Sequence, residues 1–573
     1  MNTEKKKSKY ITKSKLIISA LASLAFSFSF FIFAPLTFYF SESNRAFFEA
    51  SNLYDHIFVP YVVFAAAVVF VVGFIGLIIL PRRLHTLAIS VIAWLLVCGY
   101  LQILFLNSWT GGLIADGNGG VEIPAGGIPN LILWISLGVI IVIMPQLNFG
   151  KLKKVAEIAK MVVVYLLVLV FVMQGAGVLE AVITAPEESK HKDVLSYDNI
   201  FEASKNHNVI VFLLDKFDIK YYYELKDYDP DFFAELDGFT AYTDHISMYA
   251  KTYPSIAYML TGIEQDYENG REEYFRQAYT NTTALPSLKE AGYDINLYMD
   301  DYYACSDASV LKDYVDNVVE FDGDVKMSQP KIFYKHIVRY SLYAYSPDIF
   351  KKKIDISSSN FASSATNNIS YSVNDARLYK MWQKAEGVTL KEDNNFTFIH
   401  LRGCHNPFNL DENCKNIGGG NSTSLKQSRG VFKFIKEYIA DLKAKGVYED
   451  ATIIITGDHA DGLSDSAELD SPKITGLLVK ERGSFGTPMT ESSAQLCHAN
   501  FLPSVLKDAK MENYADYGKA YSDIKEGENV VRTYSLQRLL REEYDESIEY
   551  RIEGDGRDFE NWEIVDRHDV SYR

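Results

Sequence analysis

Apolar positions are spread very unevenly along this chain of 573 residues. Residues 1–186 hold five apolar runs, at about 16–40, 57–80, 87–106, 127–147 and 161–184, each near or above the roughly 20 residues that cross a bilayer as a helix. One such run could be a buried core helix; five in succession argue for membrane spans. The first run lacks a small-residue cleavage signal and is followed by four more, so it reads as a retained helix rather than a signal peptide. Lys and Arg near span ends stay on the cytoplasmic side. Lys5, Lys6, Lys7, Lys9, Lys13 and Lys15 precede the first run, Arg82 and Arg83 follow the second, and Lys151, Lys153, Lys154 and Lys160 lie between the fourth and fifth. The alternate loops carry Glu42, Glu49, Asp55, Asp116 and Glu122. The N-terminus is therefore expected inside, and everything after about residue 185 outside.

Past residue 185 the pattern changes. Residues 186–205 are polar and aperiodic and read as a linker. Four short, β-branched runs follow: Asn208 to Asp215, Asp294 to Met299, Phe396 to Leu401 and Ala451 to Thr456. Uninterrupted apolar runs of this length predict strands buried on both faces. Helical spacing lies between them, most clearly over 427–445, where a basic last turn precedes Gly446. Alternating strand and helix predict an α/β fold with a largely parallel central sheet. The tail from Ile548 to Val570 alternates like edge strands, with Gly554 and Gly556 at a turn. The expected organisation is a five-span membrane domain over 1–185, a linker over 186–205 and an extracellular domain over 206–573.

Charge sharpens the division. Residues 1–186 hold 13 Lys and Arg against 8 Asp and Glu, so the remainder carries a net charge of -22. Such a field repels polyanions and excludes nucleic acid as a partner; a bound phosphate needs a local positive centre. Of five cysteines, Cys404 and Cys414 bracket a short loop and are the candidate disulfide pair, with free buried thiols as the alternative.

Open α/β sheets place functional groups at the C-terminal ends of strands. Asp215, His405 with His400 nearby, and Asp458-His459 fall there, and Thr252 lies in an intervening loop. Two carboxylates, an imidazole and a deprotonated hydroxyl form a four-ligand site for zinc or manganese, with the metal activating the hydroxyl as a nucleophile. Singly these residues have plainer readings: Asp215 a helix cap, Thr252 a turn hydroxyl, His405 a loop residue. Asp458-His459, directly after Ile453-Ile454-Ile455, is harder to ascribe to packing. Lys216 and Lys251 flank the site and could neutralise phosphate.

The blocks Asn208 to Asp215, Thr252-Tyr253-Pro254-Ser255 with Met259 to Gly262, His400 to Phe408, Gly446 to His459 and His498 to Ser504 occur in an order that resembles the sulfatase-like branch of the alkaline phosphatase superfamily, over roughly 206–510. With five preceding spans, the layout is similar to lipoteichoic acid synthases and phosphoethanolamine transferases. The resemblance implies an alkaline-phosphatase-like α/β sandwich. It also implies a divalent metal (manganese or zinc, magnesium as a third option) on Asp215, Thr252, Asp458 and His459, and transient phosphorylation of Thr252. His405 would hold phosphoryl oxygens or protonate the leaving group, Lys216 and Lys251 would contact substrate, and His498 would either contact substrate or serve packing. Two departures matter. Thr252 stands where true sulfatases carry a Cys or Ser that becomes formylglycine, which disfavours sulfate hydrolysis. Asp300 and Asp301 stand where the synthases carry a His, which leaves the substrate contacts open.

The expected activity is transfer of a phosphoglycerol- or phosphoethanolamine-type group from a phospholipid donor to a cell-surface glycan or glycolipid acceptor, at the outer face of a bacterial plasma membrane. Hydrolysis of phosphodiesters or sulfate esters is the alternative with water as acceptor. A non-catalytic sensing or scaffolding ectodomain is a third, and it predicts eroded metal ligands.

Overall fold

A computed structural model describes residues 12–40, 61–107, 127–147, 149–184, 192–267, 269–305, 307–321, 330–354, 356, 369–462, 467–541 and 544–570. The chain forms two compact units, one of residues 1–190 and 323–367, the other of 191–322 and 368–573.

The first unit contains five helical spans, Lys13–Thr37, Tyr61–Ile79, Arg82–Leu106, Ile128–Gln146 and Leu152–Thr184, matching the five apolar runs. Large apolar side chains such as Phe64, Ile79 and Ile183 point outward at 66–72% exposure, as lipid-facing residues do. Small and polar residues face inward: Ser29 Oγ donates to Gln174 Oε1 at 2.6 Å, a bond between helices of the kind apolar bundles use. Lys15 Nζ donates to the carbonyls of Ile78 and Leu80 at 2.6 and 2.7 Å, capping the C-terminal end of the second span. Lys5, Lys6, Lys7 and Lys9, and Glu42, Glu49, Asp55, Asp116 and Glu122, lie outside the described residues. One boundary differs from expectation. Helices Pro330–Tyr345 and Asp348–Ile354 belong to this unit, although their sequence lies inside the segment expected to be wholly extracellular.

The second unit is built on a seven-stranded sheet. Its strands are β3 (Asn208–Leu214), β4 (Phe239–Ile246), β5 (Tyr293–Tyr298), β8 (Asn394–Leu401), β9 (Ala451–Gly457), β10 (Leu477–Lys480) and β11 (Thr490–Cys497), in the order β11-β4-β10-β9-β3-β8-β5. Only β10 runs against its neighbours; β3, β5, β8 and β9 pair in parallel. Every residue of β3 is buried. Val209, Val211 and Leu213 enter one core with helices Thr252–Thr261, Arg271–Asn281 and Phe501–Asp508. Ile210, Phe212 and Leu214 enter a second core with helices Ile219–Tyr228, Asp375–Trp382 and Ser424–Ala444. This two-sided burial is why the strand reads as an unbroken apolar run.

Smaller elements correct the sequence reading. Of the expected linker, 186–191 lies outside the described residues, but 192–205 is ordered into the domain. There β1 (Lys192–Leu195) pairs with β6 (Val318–Phe321), and β2 (Glu202–Ser204) pairs with β7 (Thr389–Lys391). The expected edge strands of the tail are present as a three-stranded antiparallel sheet of β12 (Val531–Arg541), β13 (Tyr544–Glu553) and β14 (Trp562–Val570). Arg532 is 1% exposed and grips Asp244 of β4 at 2.6 and 3.2 Å, fastening this sheet to the end of the main one. The candidate disulfide does not form: Cys404 Sγ lies 3.3 Å from Ser428 Oγ, Cys414 Sγ donates to the Asp375 carbonyl at 3.6 Å, and both thiols are free and buried.

Candidate metal and nucleophile site

The two central parallel strands, β3 and β9, run in register from Asn208 with Ala451 to Leu214 with Gly457. That register brings the residues just beyond their ends, Asp215 and Asp458, side by side. The Asp458 Oδ1 atom accepts the backbone N–H of Lys216 at 2.9 Å and that of His459 at 2.9 Å. Lys216 takes a left-handed backbone conformation, φ 57°, which turns its N–H toward that carboxylate.

Three ligand-capable side chains meet here. Suitable atoms of Asp215, Asp458 and His459 all lie within 4.8 Å of one another. His459 Nδ1 donates to the carbonyl of Ala460 at 2.8 Å; a carbonyl can only accept, so the proton sits on Nδ1 and Nε2 offers its lone pair. That Nε2 lies 3.4 Å from Asp458 Oδ2, 3.9 Å from Asp215 Oδ1 and 3.4 Å from Thr252 Oγ1. Asp215 Oδ1 and Asp458 Oδ2 are buried with no hydrogen-bond partner among the described residues. Burial, and then the neighbouring Asp458, drive the Asp215 carboxyl well above its usual range, while the His459 and His400 imidazoles help hold Asp458 below its own despite burial. Two adjoining carboxylates of which one is pushed toward protonation, both with orphaned oxygens, are a donor set that a divalent cation satisfies. The residues present therefore fit a metal of the kind that takes oxygen and imidazole ligands.

Thr252 is not in a loop, as its sequence context suggests, but is the first residue of helix Thr252–Thr261, with Lys251 as the extended N-cap residue. A helix N-terminus favours negative charge, so the hydroxyl is placed where an anion attached to it is stabilised. The preceding turn is pinned from outside the main sheet: Ala250 N–H donates to the Ser535 carbonyl at 3.0 Å, and Ser535 N–H to the Met248 carbonyl at 2.9 Å. Tyr253 Oη donates to Gln537 at 3.0 Å. The C-terminal sheet thus holds the turn before Thr252, the candidate nucleophile, a long-range role with no local sequence signal.

The loop after β8 closes another side. Gly403, at φ 56°, packs so closely that a Cβ there would sit 2.7 Å from Asp215 N and from Leu214 C. Asp375 clamps this loop by accepting from Arg402 N–H at 2.7 Å and Gly403 N–H at 3.1 Å. Its own carboxyl is raised by burial to about 6. Sequence reasoning passed over Asp375 because it sits at a helix start, far from the strand ends. His405 is half-buried, and its Nδ1 has no hydrogen-bond partner among the described residues. Burial, Lys216 and Arg402 keep its imidazole neutral, well below its ordinary titration range. Lys216 Nζ lies 3.3 Å from Asn406 Oδ1, and Lys216 and Arg402 act electrostatically on Asp215. Arg402 is thus a cation beside the candidate metal-ligating groups.

Two histidines stand deeper. His400 is fully buried, with its ring edge-on to Tyr303 at 5.3 Å between centroids; burial lowers it to about 4. His498 is 1% exposed and its Nε2 donates to the Gly457 carbonyl at 3.1 Å. That geometry supports the end of β9 from behind and suits the packing role rather than a substrate contact. Asp300 and Asp301 are likewise engaged in structure, accepting from the N–H groups of Val373 at 3.0 Å and Leu195 at 2.8 Å.

Residues 207–511 match the family model described as Sulfatase. The lipoteichoic acid synthase of Staphylococcus aureus strain USA300 is 28% identical over 137 residues, which cover 20% of this chain and 21% of that protein, so the chain matches about a fifth of the length of this relative. Among solved structures, an alkaline phosphatase superfamily protein from Vibrio parahaemolyticus aligns over 66% of this chain and 84% of its own at 11% identity and a TM-score of 0.35. The lipoteichoic acid synthase LtaP from Listeria monocytogenes aligns over 66% and 90% at 12% identity and a TM-score of 0.34. With the matched segment covering more than half of the sequence and including every residue of the strand-end cluster, the chain belongs to the sulfatase family.

Proposed function

We propose that this protein is a metal-dependent phosphotransferase of the cell membrane, with Thr252 as its nucleophile. The observation that carries the reading is the meeting of Thr252 Oγ1, at a helix N-terminus, with His459 Nε2 at 3.4 Å and with two buried carboxylates, of which Asp215 Oδ1 and Asp458 Oδ2 have no hydrogen-bond partner among the described residues. Asp215, Asp458 and His459, with Thr252, would hold the cation. When bound, the metal lowers the hydroxyl pKa and offsets charge on the phosphoryl oxygens.

In the first half-reaction the Thr252 oxygen attacks the phosphorus of a phospholipid headgroup. An oxygen–phosphorus bond forms at Thr252, the bond from phosphorus to diacylglycerol breaks, and the departing oxygen takes a proton. In the second half an acceptor hydroxyl attacks the phospho-Thr252 phosphorus, its proton is removed, and the Thr252 oxygen is released. Lys216, Lys251 and Arg402 supply positive charge within an otherwise acidic unit. His405 is kept neutral by burial, Lys216 and Arg402, and its Nδ1 has no hydrogen-bond partner among the described residues, which suits it to hold a phosphoryl oxygen or pass a proton. A neighbouring cavity of ≈ 420 Å³, lined by Lys220, Tyr221, Glu224, Asn406, Phe408 and Asp461 among others, offers hydroxyl-binding groups for a glycan or glycolipid acceptor. An orientation with the N-terminus in the cytoplasm, as the Lys and Arg flanking the spans imply, would put the catalytic unit on the outer side, where its lipid donors are available.

The test is release of diacylglycerol by the full chain in detergent with phosphatidylglycerol or phosphatidylethanolamine and a divalent metal, against a chelated sample and Thr252→Ala. Release that needs both metal and Thr252 supports the reading. Turnover of soluble phosphodiesters with no diacylglycerol from either lipid replaces it with hydrolysis.

A further inference from the structure

Helices Pro330–Tyr345 and Asp348–Ile354 lie in sequence between β6 and β7 of the catalytic unit but pack in the membrane unit. Their inward face is apolar: Phe333, Ile337, Tyr340 and Ala344, at helical spacing, share one core with Ala34 and Val62 of the first two spans. Gly99 of the third span permits this closeness, since a Cβ there would come within 2.3 Å of the Tyr345 ring. Buried polar bonds fix the placement. Asp348 Oδ1 accepts from Gln102 Nε2 at 2.9 Å, and Asp348 N–H donates to Asn130 Oδ1 at 3.2 Å. Gln102 Oε1 accepts from Asn130 Nδ2 at 2.8 Å and Trp134 Nε1 at 3.1 Å. Lys351, fully buried, donates to Asn107 and lies 3.6 Å from Asp348. A satisfied network of this kind sets one docked geometry.

The outward face has a different character. Lys331, Ile332, Lys335 and Leu342 fall on one side of the first helix, and Phe350 and Lys353 are exposed on the second. Ile332, Leu342 and Phe350 are 43%, 49% and 47% exposed. No ion pair to Lys331, Lys335 or Lys353 occurs among the described residues. Residues 330–354 hold six Lys and Arg against one Asp, within a C-terminal portion whose net charge is -22. A helix of 16 residues is about 24 Å long, too short and too charged to span a bilayer. On the free face of a helix already docked by its other side, exposed apolar side chains suit the acyl boundary, and neighbouring lysines can snorkel to the headgroups.

We propose that the segment 330–354 is an interfacial anchor, docked on the membrane spans by its inner face, whose outer face of Lys331, Ile332, Lys335, Leu342, Phe350 and Lys353 binds the headgroup layer of an anionic phospholipid leaflet. The anchor opposes the repulsion between an acidic catalytic unit and an anionic surface. Each lysine near such a surface contributes about fivefold to partitioning at low salt.

The experiment uses the full chain in nanodiscs of phosphatidylcholine, alone or mixed with phosphatidylglycerol. Leu342→Cys and Phe350→Cys are labelled separately with an environment-sensitive fluorophore; the five native thiols are buried. Quenching by a shallow spin-labelled lipid is compared with quenching by aqueous iodide. The anchor predicts lipid quenching and iodide protection at both positions. It also predicts a lipid-to-iodide ratio that rises with phosphatidylglycerol, by up to about a hundredfold for three lysines at about fivefold each, and falls with salt and in Lys331→Gln/Lys335→Gln/Lys353→Gln. Iodide access at both positions in the mixed discs overturns the proposal. So does shielding from both quenchers, which marks a protein partner, and so does lipid quenching indifferent to phosphatidylglycerol and to the lysines. None of these readouts depends on catalysis, so they are independent of the proposed reaction.

Discussion

Gly403→Ala tests whether the loop after β8 sets the position of a metal ligand. The new Cβ would lie 2.7 Å from Asp215 N, Leu214 C and Leu214 Cα, all backbone atoms at the end of a strand paired on both sides. The loop cannot retreat freely, because Gly403 N–H is held by Asp375 at 3.1 Å and its carbonyl accepts from Gln427 Nε2 at 3.0 Å. Left-handed backbone in a non-glycine residue costs about 1–2 kcal/mol, and forced overpacking about 1–3 kcal/mol more. The variant should lose about 2–5 kcal/mol of stability. Relief of the clash also pushes Asp215, which should weaken metal binding by about 10–100-fold, the range seen when groups orienting metal ligands are lost. Gly446→Ala is the control: Gly446 has φ 72° but nothing within 4 Å of its Cβ direction, so it should lose about 1–2 kcal/mol with unchanged metal affinity. Both are read by thermal unfolding of the full chain in detergent across a metal titration. Equal metal affinity in the two variants would refute the coupling of Gly403 to Asp215.

Further outcomes follow from the same geometry. Saturating metal at a hundredfold over its dissociation constant should stabilise the protein by about 2.7 kcal/mol, and Asp458→Asn should abolish that shift in unfolding temperature. Arg532→Ala leaves Asp244 buried without its ion-pair partner, which should cost about 3–5 kcal/mol and, by loosening the grip of β12 on the nucleophile turn, lower activity of the surviving folded protein. Asp375, raised by burial to about 6, binds its proton more tightly folded than unfolded. Its contribution is therefore present at acid pH and is lost as pH rises from about 4 through 6, a change of about 3 kcal/mol; Asp375→Asn should flatten that part of the profile of unfolding temperature against pH.

The strands that carry the candidate ligands are legible because they are buried on both faces. Val209 to Leu214 and Ala451 to Thr456 are continuous apolar runs, and groups as polar as Asp458-His459 at the end of such a run need a chemical reason. Strands β4 and β11 carry no clear pattern because they are mixed in character: β11 reads Thr-Glu-Ser-Ser-Ala-Gln-Leu-Cys and is partly exposed at the sheet edge, while β10, Leu-Leu-Val-Lys, is buried but only four residues long. Thr252 reads from sequence as a loop residue, yet Pro254 is at home in the first turn of the helix that Thr252 begins. What no local pattern could reveal are the contacts between distant segments: Asp375 on the 402–403 loop, Ser535 on the nucleophile turn, and helices 330–354 on the membrane spans.

The central claim is that Thr252 becomes covalently phosphorylated by a lipid headgroup at a metal centre. The most direct measurement is the intact mass of the full chain after brief incubation with metal and phosphatidylglycerol or phosphatidylethanolamine, without acceptor, alongside Thr252→Ala. An added mass equal to one headgroup phosphate, localised to Thr252, removed by chelation and missing in the variant, is the predicted result. Diacylglycerol release with no adduct on Thr252, or an adduct that persists in Thr252→Ala, would contradict it.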